Sequence, residues 1–238
     1  MCGRYASTRS SDDLATLFEA VDDTDGAADI GYNLAPTRNA AVIRRSNRAQ
    51  GRVVSAARWG LVPSWAKDRS IGNRMFNARA EKVTTSAAFR AAYSRRRCLI
   101  PVDGWFEWAK CPGGKKQPYF LTSRDGDPVV FAGLWEFWKR GEESVLSTTI
   151  ITTEALGQLE RVHERMPLLL SRDRFAAWLG ESEPQTDLLE PPGMAVLQDI
   201  EMRPVGLKVG NVAFDYPELL DRVPEVDSGE AAEQQTLF

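Results

Sequence analysis

Val129-Val130-Phe131-Ala132-Gly133-Leu134-Trp135-Glu136-Phe137-Trp138 is the stretch from which the fold class is read. Ahead of it stands Tyr119-Phe120-Leu121-Thr122-Ser123, and after it Val145–Thr153, equally rich in β-branched and aromatic residues. Such side chains suit a pleated, half-buried or buried surface, so three strands are expected here. Working outward, Cys98–Val102 and Gly104–Trp108 read as buried strand, joined to Tyr119–Ser123 through a Gly113-Gly114-Lys115-Lys116 hairpin loop. Ala40–Arg45 and Arg52–Trp59 form another strand pair, and Glu201–Val209 a late strand. Helices are few: a capped one at Ser11–Phe18, one from about Thr85 to Arg96, one at Ser171–Leu179 and a short one at Thr186–Leu189.

The 238 residues provide for a real core, and 43% hydrophobic with 26% charged residues is an ordinary soluble composition. No apolar run approaches the roughly 18 residues of a membrane span, and no signal pattern opens the chain. Cys2, Cys98 and Cys111 are an odd number without a disulfide-scaffold spacing, which argues for a reducing, cytoplasmic location. With a single histidine beside scattered cysteines, neither a zinc site nor any other cofactor is expected. The net charge of −3 conceals an asymmetry. Residues 30–116 carry 18 Lys and Arg against four acids, whereas residues 117–238 carry 10 against 22. That imbalance suggests a polyanion-facing surface, unless the two halves interleave and neutralise each other.

The chemistry-bearing residues lie outside the long strands. Removal of Met1 would make Cys2 the terminal residue, with an α-amine and a thiol on one carbon skeleton. Both nucleophiles are partly free near neutral pH. The amine condenses with an aldehyde to a Schiff base, and the thiol then closes a thiazolidine ring. A frayed terminus is the competing reading. Glu107 sits within Gly104-Trp105-Phe106-Glu107-Trp108. Strand alternation sends it opposite Phe106 and Trp108, either to a solvated edge or among tryptophans, where its pKa would rise. His163 is the only side chain with a reference pKa near neutrality. Trp65, in the Gly60–Ser64 loop and flanked by Arg58, Lys67 and Arg69, suits stacking on an unpaired base with phosphates held alongside.

Six motifs in order resemble the SRAP (SOS-response-associated peptidase) family, whose members crosslink themselves to abasic sites in DNA. They are Met1-Cys2-Gly3-Arg4-Tyr5, Tyr32–Pro36, Trp59–Trp65, Asn77–Glu81, Asp103–Trp108 and His163–Pro167. The resemblance implies a single α+β domain over residues 1–220, with a curved, barrel-like antiparallel β core, peripheral short helices and a basic DNA channel. It implies Cys2 as crosslinking nucleophile, Asn77 as the group orienting the amine and the opened sugar, Glu107 as acid/base and His163 as proton donor. Arg4 and Arg79 would contact phosphates, while Asn33, Pro36, Trp65 and Thr152 would line the strand beside the lesion. No metal is implied. The partner would be single-stranded DNA, met by a monomer that associates with the nucleoid when bound. Two departures stand out: Ala66 replaces a second aromatic common after Trp65, and Glu164 replaces the usual Asp after the histidine.

Two other functions compete with the crosslinker: an N-terminal-nucleophile peptidase built on Cys2, and a non-catalytic single-strand-binding module. The acidic tail, 221–238, lacks periodicity and reads as disordered. Its last residues, Gln234-Gln235-Thr236-Leu237-Phe238, are similar to the short peptides that dock on bacterial replicative sliding clamps. Folding back onto the domain, or plain fraying, is the alternative for that tail.

Overall fold

The computed structural model describes residues 2–181 and 187–225. Gln234, Leu237 and Phe238, with most of the acidic tail, lie outside the described residues, as does Thr186 at the start of one expected helix. Among the described residues, thirteen strands and four short α-helices follow in chain order: β1 (Tyr5–Ser7), α1 (Ser11–Leu17), β2 (Ala20–Asp22), β3 (Gly31–Leu34), β4 (Asn39–Ser46) and β5 (Gly51–Trp59). Then come β6 (Asn77–Arg79), α2 (Arg90–Arg95), β7 (Arg97–Val102), β8 (Gly104–Lys110), β9 (Lys116–Ser123), β10 (Val129–Arg140) and β11 (Glu143–Glu154). The chain continues with β12 (Arg165–Pro167), α3 (Phe175–Leu179), α4 (Met194–Gln198) and β13 (Ile200–Pro204).

One sheet runs β13-β9-β8-β1-β3. The other runs β12-β11-β10-β7-β4-β5-β2, and a parallel pairing of β11 with β5 closes β5, β4, β7, β10 and β11 into a five-stranded barrel. Closure explains the near-continuous apolar strands, because both faces of this sheet are covered. Val42, Ile100, Phe131 and Ile150 join Tyr5, Trp105 and Leu121 of the other sheet in one buried cluster. Their neighbours Ile43, Leu99, Val130 and Ile151 belong to a second cluster with Leu14 and Phe18, at the end of α1, and Trp178 of α3. Alternate residues therefore serve two cores, as the period of two requires.

The expected helix from Thr85 contracts to α2. Ser86 Oγ accepts from the Ala88 amide, and the chain turns through 82–89 before the Tyr93 amide reaches Phe89 O at 2.8 Å. Hydroxyl side chains that satisfy nearby amides compete with helix, so the first turn goes to Thr84-Thr85-Ser86. The late strand stops at Pro204, where proline lacks the ladder donor, and 207–210 becomes a 3-10 turn. Asp187–Glu190 forms a turn.

Candidate active site

Strand β8 brings the N-terminal segment and Glu107 together. Tyr5 pairs with Trp105 antiparallel, and the Phe106 amide donates to Arg4 O at 2.9 Å. Continuing this register by two residues puts Gly3 opposite Glu107, with Cys2 next to it. Cys2 is fully buried, as is Glu107 at 3% exposure. The solvated edge is thereby excluded. Burial raises the Glu107 carboxyl from its ordinary 4.5 to about 7. The Cys2 thiol is pushed well up, first by burial and then by the Glu107 charge, which places the two groups within electrostatic reach.

Asn77 and His163 are placed by two strands that pair with β11. Strand β6 pairs parallel with it, setting Asn77 opposite Ile150 and Arg79 opposite Thr152. Asn77 Nδ2 donates to Cys2 O at 2.7 Å. Its Oδ1 is buried and has no partner among the described residues, so an acceptor remains for an incoming group. Strand β12 pairs antiparallel with β11, with Arg165 opposite Glu154. His163, just before it, is half-buried, and its Nδ1 accepts from the Arg165 amide at 2.9 Å. A ring accepting at Nδ1 carries its neutral-form proton on Nε2, so Nε2 is its free donor. Burial lowers the His163 pKa, and positive charge at the chain's N-terminus acts in the same direction.

The two motifs around Asn77 and His163 are tied by a pair the sequence reading did not single out. Arg165 forks onto Glu81, at 2.6 Å and 3.1 Å, and donates to Thr152 O at 2.6 Å. The sequence signal was present in the last residue of Asn77–Glu81 and the third of His163–Pro167, opposite charges in two otherwise unrelated motifs.

The residues expected to face DNA divide into two groups. Arg79 is exposed, Trp65 is 59% exposed, and Pro36 is half-buried. The other three are engaged inside the protein. Asn33 Nδ2 donates to the carbonyls of Val209, Asn211 and Phe214, and its Oδ1 accepts from Arg4 Nη1 at 2.8 Å. Arg4 Nη1 also donates to Val209 O, and its guanidinium is half-buried. Thr152 is fully buried, between β6 and β12. Trp65 is held from below: Trp138 Nε1 donates to Ala66 O at 2.8 Å, and Trp65 Nε1 donates to Ala87 O at 3.3 Å.

Among the described residues no cluster of three His, Cys, Asp or Glu could hold a metal, and no helix is long and apolar enough to cross a membrane. A thiol, a carboxyl titrating near neutrality, an imidazole with a free Nε2 proton and an amide acceptor thus meet at the N-terminus. Such a set can handle protons and a nucleophile around a small electrophile.

Comparison with known proteins agrees in extent and shape. The family model described as SOS response associated peptidase (SRAP) matches residues 1–212. The abasic site processing protein YoaM of Bacillus subtilis is 35% identical over 227 residues, covering 93% of this chain and 98% of that protein. The abasic site processing protein YedK of Escherichia coli is 31% identical over 230 residues, covering 94% and 100%. A crystal structure of a protein from Bacteroides thetaiotaomicron superposes with a TM-score of 0.81 at 20% identity, covering 94% of this chain and all of that one.

Proposed function

Because the chain belongs to the SOS response associated peptidase family, we propose that it processes abasic sites in single-stranded DNA by crosslinking itself to them through Cys2. The observation that carries this reading is the hydrogen bond from Asn77 to Cys2 O, in a site where Glu107 lies within electrostatic reach of the thiol.

The reaction begins with hydrolysis of the Met1–Cys2 peptide bond, which frees the α-amine. The abasic deoxyribose opens from hemiacetal to aldehyde as the C1′ hydroxyl gives its proton to the Glu107 carboxylate and the ring oxygen takes one from His163 Nε2, which solvent then reprotonates. The amine adds to C1′, and the carbinolamine loses water as Glu107 donates a proton to the departing hydroxyl. The Cys2 sulfur then adds to C1′ of the resulting iminium while the thiol proton passes to the Glu107 carboxylate, closing the thiazolidine. One water leaves overall, and no redox partner is required. Asn77 holds the Cys2 backbone so that amine and thiol face the same carbon, and such positioning contributes several kcal/mol. The adduct removes an aldehyde that would otherwise lead to strand cleavage, so the protein acts once, as a shield. Trp65 and Arg79 hold the flanking strand, the protein works as a monomer in the cytoplasm at the nucleoid, and the Gln234–Phe238 segment recruits it to a sliding clamp.

Intact mass after mixing with abasic single-stranded DNA tests the reading. The expected product is protein lacking Met1 plus DNA minus one water. Peptide turnover without adduct would favour the peptidase, and purely reversible, salt-sensitive binding the non-catalytic module. His163→Ala should slow adduct formation by about 10²–10⁴ if Nε2 is the general acid.

A further inference from the structure

The two ends of the described chain converge on one row of the sheet β13-β9-β8-β1-β3. Glu107 on β8 stands opposite Tyr119 on β9, and Tyr119 stands opposite Pro204 on β13. Directly opposed residues share a face, and Tyr119 joins Cys2 in one buried cluster. At the β13 edge, the Val223 amide donates to Pro204 O at 2.9 Å. Arg203 Nη1 donates to Leu220 O at 3.1 Å, and Arg222 pairs with Glu201 at 2.5 Å. The C-terminal segment is thus fastened to β13 just before it leaves the domain. With neighbouring strands about 4.8 Å apart, it leaves within about 15 Å of Glu107.

The first acid of the departing segment is already seated. The Tyr119 hydroxyl donates to Glu225. Burial, and then the Glu225 charge, raise the tyrosine pKa against the opposing charge of Arg161. Arg161 is exposed and lies two residues before His163. Lys110, also exposed and three residues beyond Glu107 on β8, acts on His163 through its charge. Neither cation forms an ion pair among the described residues. Of the acids beside them, Glu160 accepts from the Gly157 amide at 3.1 Å, and the Glu164 charge acts on His163. Residues 226–238 add Asp227, Glu230 and Glu233 and no Lys or Arg. Asp227 is two residues past Glu225, about 7 Å of extended chain. Covalent attachment at that distance gives the acids an effective concentration of about millimolar over Lys110 and Arg161.

We propose that Asp227, Glu230 and Glu233 lie across Lys110 and Arg161, beside the reactive site, and must be displaced before single-stranded DNA enters. The inference rests on the DNA reading above and deepens it by making access to Cys2 conditional. A clamp that takes Gln234–Phe238 would draw those acids away, so recruitment and opening become one event.

The test is a cycle of four full chains: wild type, Asp227→Asn/Glu230→Gln/Glu233→Gln, Lys110→Ala/Arg161→Ala, and both sets combined. All four keep Gln234–Phe238. Reversible binding of an abasic oligonucleotide of about 15 nucleotides is measured first, then adduct by mass. Neutralising the tail should tighten binding several-fold at about 0.01 M salt. The gain should shrink by about 0.1 M, as the Debye length falls from about 30 Å to about 10 Å. On the Lys110→Ala/Arg161→Ala surface the same neutralisation should gain little. An equal gain on both surfaces overturns the contact, because the tail then merely repels DNA, and so does no gain on either. If the pattern holds but no adduct forms, the tail contact stands and the crosslinking chemistry fails. If none of the four binds single-stranded DNA, the DNA reading fails and takes this inference with it.

Discussion

Of the three cysteines, only Cys2 stands beside Asn77 and Glu107. Cys98 is sealed in the barrel core beside Thr148 Oγ1, and burial pushes its pKa to about 12. Cys111 stands in the β8–β9 loop, away from the Asn77–Glu107 constellation. Cys2→Ala is therefore expected to leave only a Schiff base, trapped by borohydride, whereas Cys98→Ala and Cys111→Ala retain the stable adduct by mass. Equal adduct from Cys2→Ala without reductant would refute the mechanism. Glu107 carries a stability signature as well as a kinetic one. Its folded pKa, about 7, exceeds its ordinary 4.5, so the folded protein binds more protons than the unfolded chain between those values. Stability from this group is present at low pH and is lost as pH rises through that window, by at most about 3 kcal/mol. Glu107→Gln should flatten the pH dependence of urea midpoints between pH 4.5 and 7. It should also remove an inflection near pH 7 from the crosslinking rate. Retention of both would place the titrating group elsewhere.

Strand β11 orders the functional elements: β5 with Arg58, β6 with Asn77 and Arg79, and β12 behind His163 all take their register from it. The Trp65 loop depends on the neighbouring β10, through Trp138 Nε1 on Ala66 O. Trp138→Phe removes that bond but keeps most of the packing, so a loss of about 1 kcal/mol is expected. DNA affinity should weaken while the crosslinking rate at saturating DNA holds; a slowed saturated rate would mean that the loop shapes the reactive site itself. Much of this was legible because local chemistry and global fold agree. The long β10 and β11 announced themselves through β-branched and aromatic runs, and the Gly113-Gly114 loop through its glycines. Burial of Glu107 was not legible, because alternation assigns a face without saying what covers it. The covering element is the N-terminal segment, about 100 residues away in sequence. Three-residue strands such as β6 and β12 have no periodicity of their own and exist only because β11 offers its edges. The inward commitment of Arg4 and Asn33 likewise follows from the 207–214 segment, a contact some 200 residues distant.

Across the whole molecule, charge separates the two tasks of finding DNA and staying soluble. The cation-rich segment supplies Arg58, Lys67 and Arg69 to one cleft and the exposed Arg79 to β6, while the acid-rich second half ends in the tail beyond 220. An acidic tail is repelled by DNA, so the proposed partner of Leu237 and Phe238 is something other than the DNA strand. Leu237 and Phe238 gain nothing from solvent exposure, and Gln234 precedes them at the spacing of a clamp-docking peptide. The acidic stretch before them would serve as a tether that raises the protein's effective concentration at replicating DNA. The Leu237→Ala/Phe238→Ala variant should therefore crosslink abasic oligonucleotides in solution at the native rate but fail to bind purified clamp. On a primed template loaded with clamp, wild type should react faster than this variant. A tail peptide with no clamp affinity at high micromolar concentration would end the recruitment reading, and a variant slowed equally without clamp would instead place these residues on the protein's own domain.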